Sequence, residues 1–400
     1  MINKLKQTEN LYFYTLYLFV LLQPVIDVLT AQLNFPYISF GMFIRGIFIM
    51  LSFLYWLIFY DSKFLLSLLT IILYSIFYLV IQYNDQANMR IEIVELLKVM
   101  YLPIMLIAVS NMNRKLPYKL FLEVYFIYAL IIIITYVFNI GSSSYLVQDN
   151  KLGFISVFVS PNEISAILVG ILPFVLAELK NQKSVLIKLA STICIIFVSL
   201  IIGTKVMLFG TLLVIVIFFL AVIMKVIKNK KIILFVGIGI IILALIIIPF
   251  TPVGHNLKVA LNYYHIDSLS KLLSIDTFDK VVMGRRIQFF TDTIRIMQNG
   301  GFQNWIFGLG YSALPLKTIE IDFLDIFCRI GISGIVFYGY SCYQVIKRNQ
   351  YDMVQLLSLL IFIAISLFAG HVLNAPAVSI YLVILPYSQD NDKTIHLTKI

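Results

Sequence analysis

The sequence predicts an all-α polytopic membrane protein with about 12 transmembrane helices and one long external loop, and three observations predict it. Of 400 residues, 61% are hydrophobic and 12% charged, with a mean hydropathy of +0.96. Soluble domains run at roughly 45–50% apolar and about 25% charged, so a water-facing shell is excluded. The apolar residues come in runs close to the ~20 needed to cross a bilayer as a helix. Basic residues concentrate in alternate loops, as the charge asymmetry of membrane proteins requires.

In chain order the runs fall near 11–31, 38–60, 64–83, 91–111, 118–140, 153–177, 185–202, 204–224, 232–250, 326–346, 353–370 and 373–388. Lys4 and Lys6 precede the first run, which is long and lacks a small-residue cleavage site, so it is expected to remain as a span rather than act as a signal peptide. One set of loops carries Lys4 and Lys6; Lys63; Arg114, Lys115 and Lys119; Lys180, Lys183 and Lys188; Lys225, Lys228, Lys230 and Lys231; Lys347 and Arg348; Lys393 and Lys399. The short loops of the other set have only Arg90, Lys151 and Lys205. A Lys/Arg excess marks the cytoplasmic side, so both termini are expected inside. The loop 251–325, between the ninth and tenth spans, is then external, inserted into a single transmembrane domain spanning 1–400.

The formal charge of +10 follows from this orientation. Seventeen basic and six acidic residues lie in the cytoplasmic set, whereas the external loop balances seven against seven. The net charge therefore says nothing about the substrate. With no soluble basic domain, nucleic acid is excluded as a partner. Cys194, Cys328 and Cys342 lie in apolar runs without paired spacing and read as core filler.

Within the external loop, 282–299 has helical spacing. Ile287, Phe290, Ile294 and Met297 form one stripe, and Arg285, Gln288, Asp292, Arg295 and Asn299 line another face. Gly300-Gly301 supplies the stop. Such an amphipathic helix is expected on the membrane surface or packed over the spans.

A charge inside a span costs about 2.5–3.5 kcal/mol on insertion scales, so each needs a reason. Asp27 and Arg45 fall at similar depth in the first two spans and read as a structural ion pair. Glu92, Glu95 and Lys98, spaced by three, allow a local pair and read as architecture. Pro161-Asn162-Glu163 interrupts the sixth span, either as a structural kink or as a site wall made by Asn162 and Glu163. Gly203-Thr204-Lys205 forms a tight external turn. Its lysine, one of three basic residues in the short loops of that side, is placed to meet a phosphate. His371, in the turn after the eleventh span, is a supporting candidate for the same wall.

The richest stretch runs from Gly284 to Gly334: Arg285-Arg286, Arg295, Trp305 to Gly310, then Glu320, Asp322 and Asp325, then Gly331-Ile332-Ser333-Gly334. Arginines match phosphate oxygens in geometry as well as charge. Carboxylates at a sheltered membrane boundary can take a proton from a sugar hydroxyl. Over roughly 150–390 the chain resembles the O-antigen ligase and Wzy-type polysaccharide polymerase superfamily. Pro161-Asn162 looks like the family's Pro-Asn in a central span, and Gly203-Thr204-Lys205 like its Gly-Ser/Thr-Arg/Lys hairpin. Arg285 and Gly301 fit the spacing R-x15-G of polymerase loops. Ligases carry His-(Asn/Ser/Gln)-x9-Gly-x-x-Gly at the end of the long loop; here Glu320 stands where that histidine would, eleven residues before Gly331.

The resemblance implies a GT-C-like architecture and a metal-independent, cofactor-free, inverting glycosyltransferase in a bacterial cell membrane. Its donor and acceptor would be oligosaccharides on polyprenyl (undecaprenyl) diphosphate, with a flippase and a chain-length regulator as partners. Arg285, Arg295 and Lys205 would hold the diphosphate, with Arg286 expected off the Arg285/Arg295 face and so a weaker candidate. Glu320 would be the base, and Asp322 its helper or an acceptor ligand. The exchange of histidine for glutamate leans the expectation toward a polymerase making capsule or exopolysaccharide. A ligase attaching finished glycan to an envelope acceptor, and a flippase, are the alternatives.

Overall fold

The computed structural model describes residues 2–33, 38–59, 62–83, 88–110, 112–147, 150–226, 239, 248–250, 252–263, 274, 279, 283–312, 319–346, 351–370 and 372–390. The helices are α1 (Ile2–Leu21), α2 (Gln23–Gln32), α3 (Phe40–Phe59), α4 (Ser62–Gln82), α5 (Met89–Ser110), α6 (Tyr118–Val137), α7 (Pro161–Asn181), α8 (Val185–Ile202) and α9 (Lys205–Val226). They continue with α10 (Pro252–Tyr263), α11 (Arg286–Asn299), α12 (Phe302–Phe307), α13 (Asp322–Ile346), α14 (Met353–Phe368) and α15 (Pro376–Ile384). Strands are confined to two short pairs. β1 (Leu116–Pro117) runs parallel to β4 (Ser388–Gln389), and β2 (Tyr145–Val147) antiparallel to β3 (Asn150–Leu152).

Six helices are each long and apolar enough to cross a bilayer, or seven if α1 and α2, bent by 51° at Leu22, make one broken span. α3, α9, α14 and α15 carry shorter apolar stretches. The chain is thus a multi-pass helical membrane protein, but the expected count of 12 is not reached among the described residues. The ninth expected span, 232–250, lies almost wholly outside them, as do parts of the 251–325 loop and His371.

Periodicity decides which helices line the rim. Along α8, Leu186, Leu189, Ile193 and Phe197 are exposed at helical spacing, and along α4 Leu66, Leu69, Leu73, Phe77 and Val80 are. Such apolar stripes suit lipid. α7 is the opposite case: 72% of its apolar stretch is buried, against 11% for α4. It packs on α6, α8, α9, α14 and α15. Small residues permit the close crossings. A Cβ at Gly170 would stand 2.1 Å from Phe362 Cζ, and one at Gly210 2.5 Å from Val169 Cγ1. Ser358 of α14 donates to the Gly170 carbonyl.

The bundle has two distinct ends. At the end where α1 begins, Asn113 N–H donates to Glu9 Oε1 (3.2 Å) and Arg114 Nη1 to Asn10 Oδ1 (2.8 Å), and β1 pairs with β4. Arg114, Lys115, Lys119, Lys180, Lys183 and Lys188 flank helix termini there. At the far end, the 139–160 segment packs over α8 through Phe154 N–H to the Ile201 carbonyl (2.9 Å) and Ser144 Oγ to the Ile202 carbonyl (2.6 Å).

α11, α12 and the start of α13 share a small core of their own. Met297, Leu309, Ile319 and Cys328 are buried among Phe290, Ile294, Trp305 and Leu324, so the expected apolar stripe of the loop helix is largely used. α13 is broken at Gly331, whose φ of 73° and ψ of −170° are non-helical. The carbonyls of Cys328 and Arg329 accept from Leu309 N–H (2.9 Å) and Gly310 N–H (3.1 Å) instead. A Cβ at Gly331 would lie 2.3 Å from the Ile306 carbonyl oxygen, and one at Gly308 2.3 Å from the Arg329 backbone. The glycines at 308 and 331 therefore serve this backbone-to-backbone approach, whereas a Cβ at Gly310 would meet Glu92 Oε1 at 2.6 Å.

One expectation is corrected. Pro161 does not kink a span; it opens α7 at the first turn, where a missing N–H costs nothing. Ser160 is the cap, its Oγ accepting from Glu163 N–H (3.4 Å). The preceding 153–160 is not helical, and its Ser156 bridges to Ser142.

Candidate functional site

The far end gathers the charged side chains. Gly203 closes α8 in the left-handed conformation (φ 63°), which glycine adopts at little cost. Thr204 then caps α9: its Oγ1 accepts from Met207 N–H (3.0 Å) and lies 2.6 Å from Ser165 Oγ on α7. The turn thus fixes Lys205 at the first position of α9, within electrostatic range of Arg286.

Arg286 begins α11. Ahead of it Gly284 (φ 66°) and Arg285 (φ 68°) are both left-handed, so the helix starts there and not at 282. Buried Asp279 takes up the free N-terminal donors, accepting from Ile287 N–H (2.9 Å) and Gln288 N–H (3.0 Å). Arg286 Nη2 pairs with Glu320 Oε2 at 2.9 Å, and its Nη1 donates to the Phe368 carbonyl at the end of α14 (2.6 Å). Its Nε is buried without a hydrogen-bond partner among the described residues.

Glu320 is held from three sides. Its backbone is left-handed (φ 60°), which is uncommon outside glycine. The N–H groups of Ile319 and Glu320 donate to the Asp325 carboxylate (2.9 and 3.0 Å). Gly370 packs so closely that a Cβ there would sit 2.7 Å from the Glu320 carbonyl oxygen. Asp322 is buried, and its Oδ2 accepts from the N–H groups of Val372 and Leu373, both at 2.9 Å. It thereby holds the backbone at 372–373.

The expected arginine set is also revised. Arg295 is exposed and pairs at 3.7 Å with Asp292 on its own helix. Nine residues on from Arg286, it lies roughly 180° around α11. Arg285 is exposed and lies outside the helical register, so the shared Arg285/Arg295 face does not form. Arg286, expected to point away, is the arginine that pairs with Glu320, and Lys205 lies within its electrostatic range. Glu163 faces a neighbouring cleft with Asp322 in electrostatic range, and half-buried Asn162 precedes it. Among the described residues no three His, Cys, Asp or Glu side chains gather as a metal site.

Two features escaped sequence reasoning. Glu92, 1% exposed, accepts at Oε1 from Tyr311 N–H (2.6 Å), Ser312 N–H (2.7 Å) and Ser312 Oγ (2.9 Å), latching the 307–312 loop to α5. Arg329 grips the same loop through the Gly310 carbonyl (3.1 Å). The two expected pairs do form, Asp27–Arg45 at 2.6 Å and Glu95–Lys98 at 2.5 Å.

Residues 9–273, more than half of the chain, match the family described as O-antigen ligase like membrane protein. No curated protein and no solved structure matches the chain. The match takes in Pro161-Asn162 and Gly203-Thr204-Lys205 and ends before Arg286 and Glu320. A multi-pass helical bundle with these two motifs inside the matched region belongs to the O-antigen ligase like family of glycan-processing membrane proteins.

Proposed function

We propose that the protein is a polymerase of lipid-linked oligosaccharide repeat units. It moves a glycan from a polyprenyl diphosphate donor to a sugar hydroxyl of a second lipid-linked repeat, at the outer face of a bacterial cell membrane. The observation that carries this reading is the Arg286 guanidinium, paired with the Glu320 carboxylate at 2.9 Å and within electrostatic range of Lys205. Two cations at a membrane boundary are suited to a diphosphate, and the acid paired with one of them is suited to a hydroxyl proton.

On this reading the donor diphosphate draws Arg286 toward itself, with Lys205 and the exposed Arg285 beside it, and uncovers Glu320. The acceptor oxygen attacks the anomeric carbon from the face opposite the diphosphate. The new C–O bond forms as the bond to phosphate oxygen breaks, the hydroxyl proton passes to Glu320, and the sugar inverts. The charge left on the lipid diphosphate is stabilised by the cations that were already in place. With the lysine-bearing loops of the α1 end in the cytoplasm, the Arg286 end faces outward.

A ligase would use the same residues. Glutamate at position 320, where ligases carry histidine, favours the polymerase. Purified protein given lipid-linked repeats should build a ladder of lengthening products. A single transfer without lengthening would make it a ligase, and movement of the lipid across vesicles without sugar joining would make it a flippase.

A further inference from the structure

A second polar cleft opens between α2, α3 and the start of α7, lined in part by Asp27, Thr30, Arg45, Phe158, Ser160 and Glu163. It is open on one side and encloses about 60 Å³, room for the hydroxyl-bearing edge of a bound group rather than for a whole large ligand. Arg45 is 5% exposed, and its Nη2 is committed to Asp27 Oδ1 (2.6 Å) and Gln23 Oε1 (2.8 Å). Its Nε is buried with no hydrogen-bond partner among the described residues. A Cβ at Gly41 would come within 2.6 Å of Arg45 Nη1 and 2.4 Å of Thr30 Oγ1, so only glycine leaves the guanidinium this position. Asp27 is already engaged at both oxygens, by Arg45 and by the Tyr128 hydroxyl. Glu163 is different: its carboxylate lines the cleft and takes no hydrogen bond or ion pair from the described residues.

An uncommitted buried donor and an uncommitted acceptor therefore share one cleft. Charge decides what fits between them. Two carboxylates, Asp27 and Glu163, line it against one guanidinium, with Lys98 in electrostatic range of Glu163, so the cleft has no excess of cations to hold a second diphosphate. A group that donates and accepts at once, without negative charge, satisfies both. A sugar ring does this, its hydroxyls donating to the carboxylate while a ring or hydroxyl oxygen accepts from Arg45. Phe158 and Val159 offer apolar surface for the C–H face of such a ring.

We propose that this cleft is a sugar subsite, in which Glu163 accepts from a hydroxyl of the glycan and Arg45 donates to an oxygen of the same ring. The proposal rests on the glycan-transfer reading above, because it assigns the bound sugar to the substrate of that reaction. Asp322, in electrostatic range of Glu163, links the cleft to the Glu320 turn.

The test uses the full chain in lipid nanodiscs, with methyl glycosides of glucose, galactose and N-acetylglucosamine as probes and inorganic pyrophosphate as the anionic comparison. Saturation-transfer NMR should show ring protons of at least one glycoside in contact with the protein. Glu163→Gln removes a charged acceptor and should weaken that glycoside at least ~10-fold. Val159 is 66% exposed at the rim, so Val159→Trp fills the cleft without disturbing the core and should have the same effect. Arg286→Gln should leave glycoside binding unchanged. No glycoside contact in the wild type, or contact that survives both Glu163→Gln and Val159→Trp, overturns the subsite. Glycoside binding that depends on Glu163, in a protein that transfers nothing, keeps the subsite and removes the transferase reading. Transfer that Arg286→Gln abolishes, with acceptor KM unchanged in Glu163→Gln, removes the subsite alone.

Discussion

Arg286 Nη2 and Glu320 Oε2 meet at 2.9 Å, joining the first residue of α11 to the turn that leads into α13. The backbone at Glu320 is left-handed, a conformation that costs a non-glycine residue roughly 1–2 kcal/mol. Asp325 and the Gly370 turn hold it there. On the proposed reading, an acid so held and paired with a cation exchanges partners: an incoming anion competes for the arginine, and the carboxylate is released. Strain of this kind concentrates where chemistry happens.

Arg286→Gln should lower the rate of ladder formation from lipid-linked repeats by about 10²–10³-fold, the usual effect of removing one group that stabilises developing negative charge. Arg295→Gln removes only an exposed pair with Asp292, and its rate should stay within about twofold of wild type. Equal losses in both variants would place the diphosphate on the other face of α11.

Glu320→Gly and Glu320→Ala both remove the carboxylate, but only glycine relaxes the positive φ. The glycine variant should be more stable by about 1 kcal/mol, read as a higher Tm, while both lose transfer. A glycine variant no more stable than alanine would show that Glu320 is unstrained.

Glu92→Ala should release the 307–312 loop. Three donors lose their acceptor, Tyr311 N–H, Ser312 N–H and Ser312 Oγ, while the Tyr78 hydroxyl keeps the Arg329 carbonyl. At ~1–3 kcal/mol for each group left buried and unpaired, even partial loss should be visible as rapid proteolysis between 307 and 312. Resistance equal to wild type would mean that Arg329 alone secures the loop.

Gly331→Ala should destabilise strongly, since its Cβ would meet the Ile306 carbonyl oxygen at 2.3 Å and its φ is 73°. Gly339, on the same element α13, meets nothing within 4 Å. Gly339→Ala should instead raise stability by up to ~1 kcal/mol, the helix propensity difference. Thermal unfolding of the two variants side by side reads the contrast directly.

Local signals carried much of this architecture. Apolar runs located the helices because lipid contact and bundle burial both demand unbroken hydrophobicity. The Asp27–Arg45 pair was visible because two opposite charges at equal depth in neighbouring spans have few other solutions. Gly203-Thr204-Lys205 was readable as a turn from its residue types, and Glu320 as a candidate from the family pattern that the stretch before Gly331 resembles. The arginine face was misjudged because the start of α11 is set from outside it: Asp279 caps the helix and leaves Arg285 left-handed, which breaks the register that periodicity assumes. Pro161 gives the same signature as a kink or as a first turn, and the choice depends on the non-helical segment before it. The Glu92 latch, reaching a loop 219 residues away, leaves no local trace at all.

The break at Gly331 also divides the apolar packing of this end into two parts. Below it, the remainder of α13 packs with the other spans; above it, α11, α12 and the first turns of α13 enclose their own apolar cluster. Glu92, Gln82 and the Arg286 contact with Phe368 are among the polar links between the two. The family match covers the earlier spans and stops at residue 273, before the upper part begins. Such a seam gives the upper cluster packing of its own, so that a substitution within it need not disturb the spans beneath.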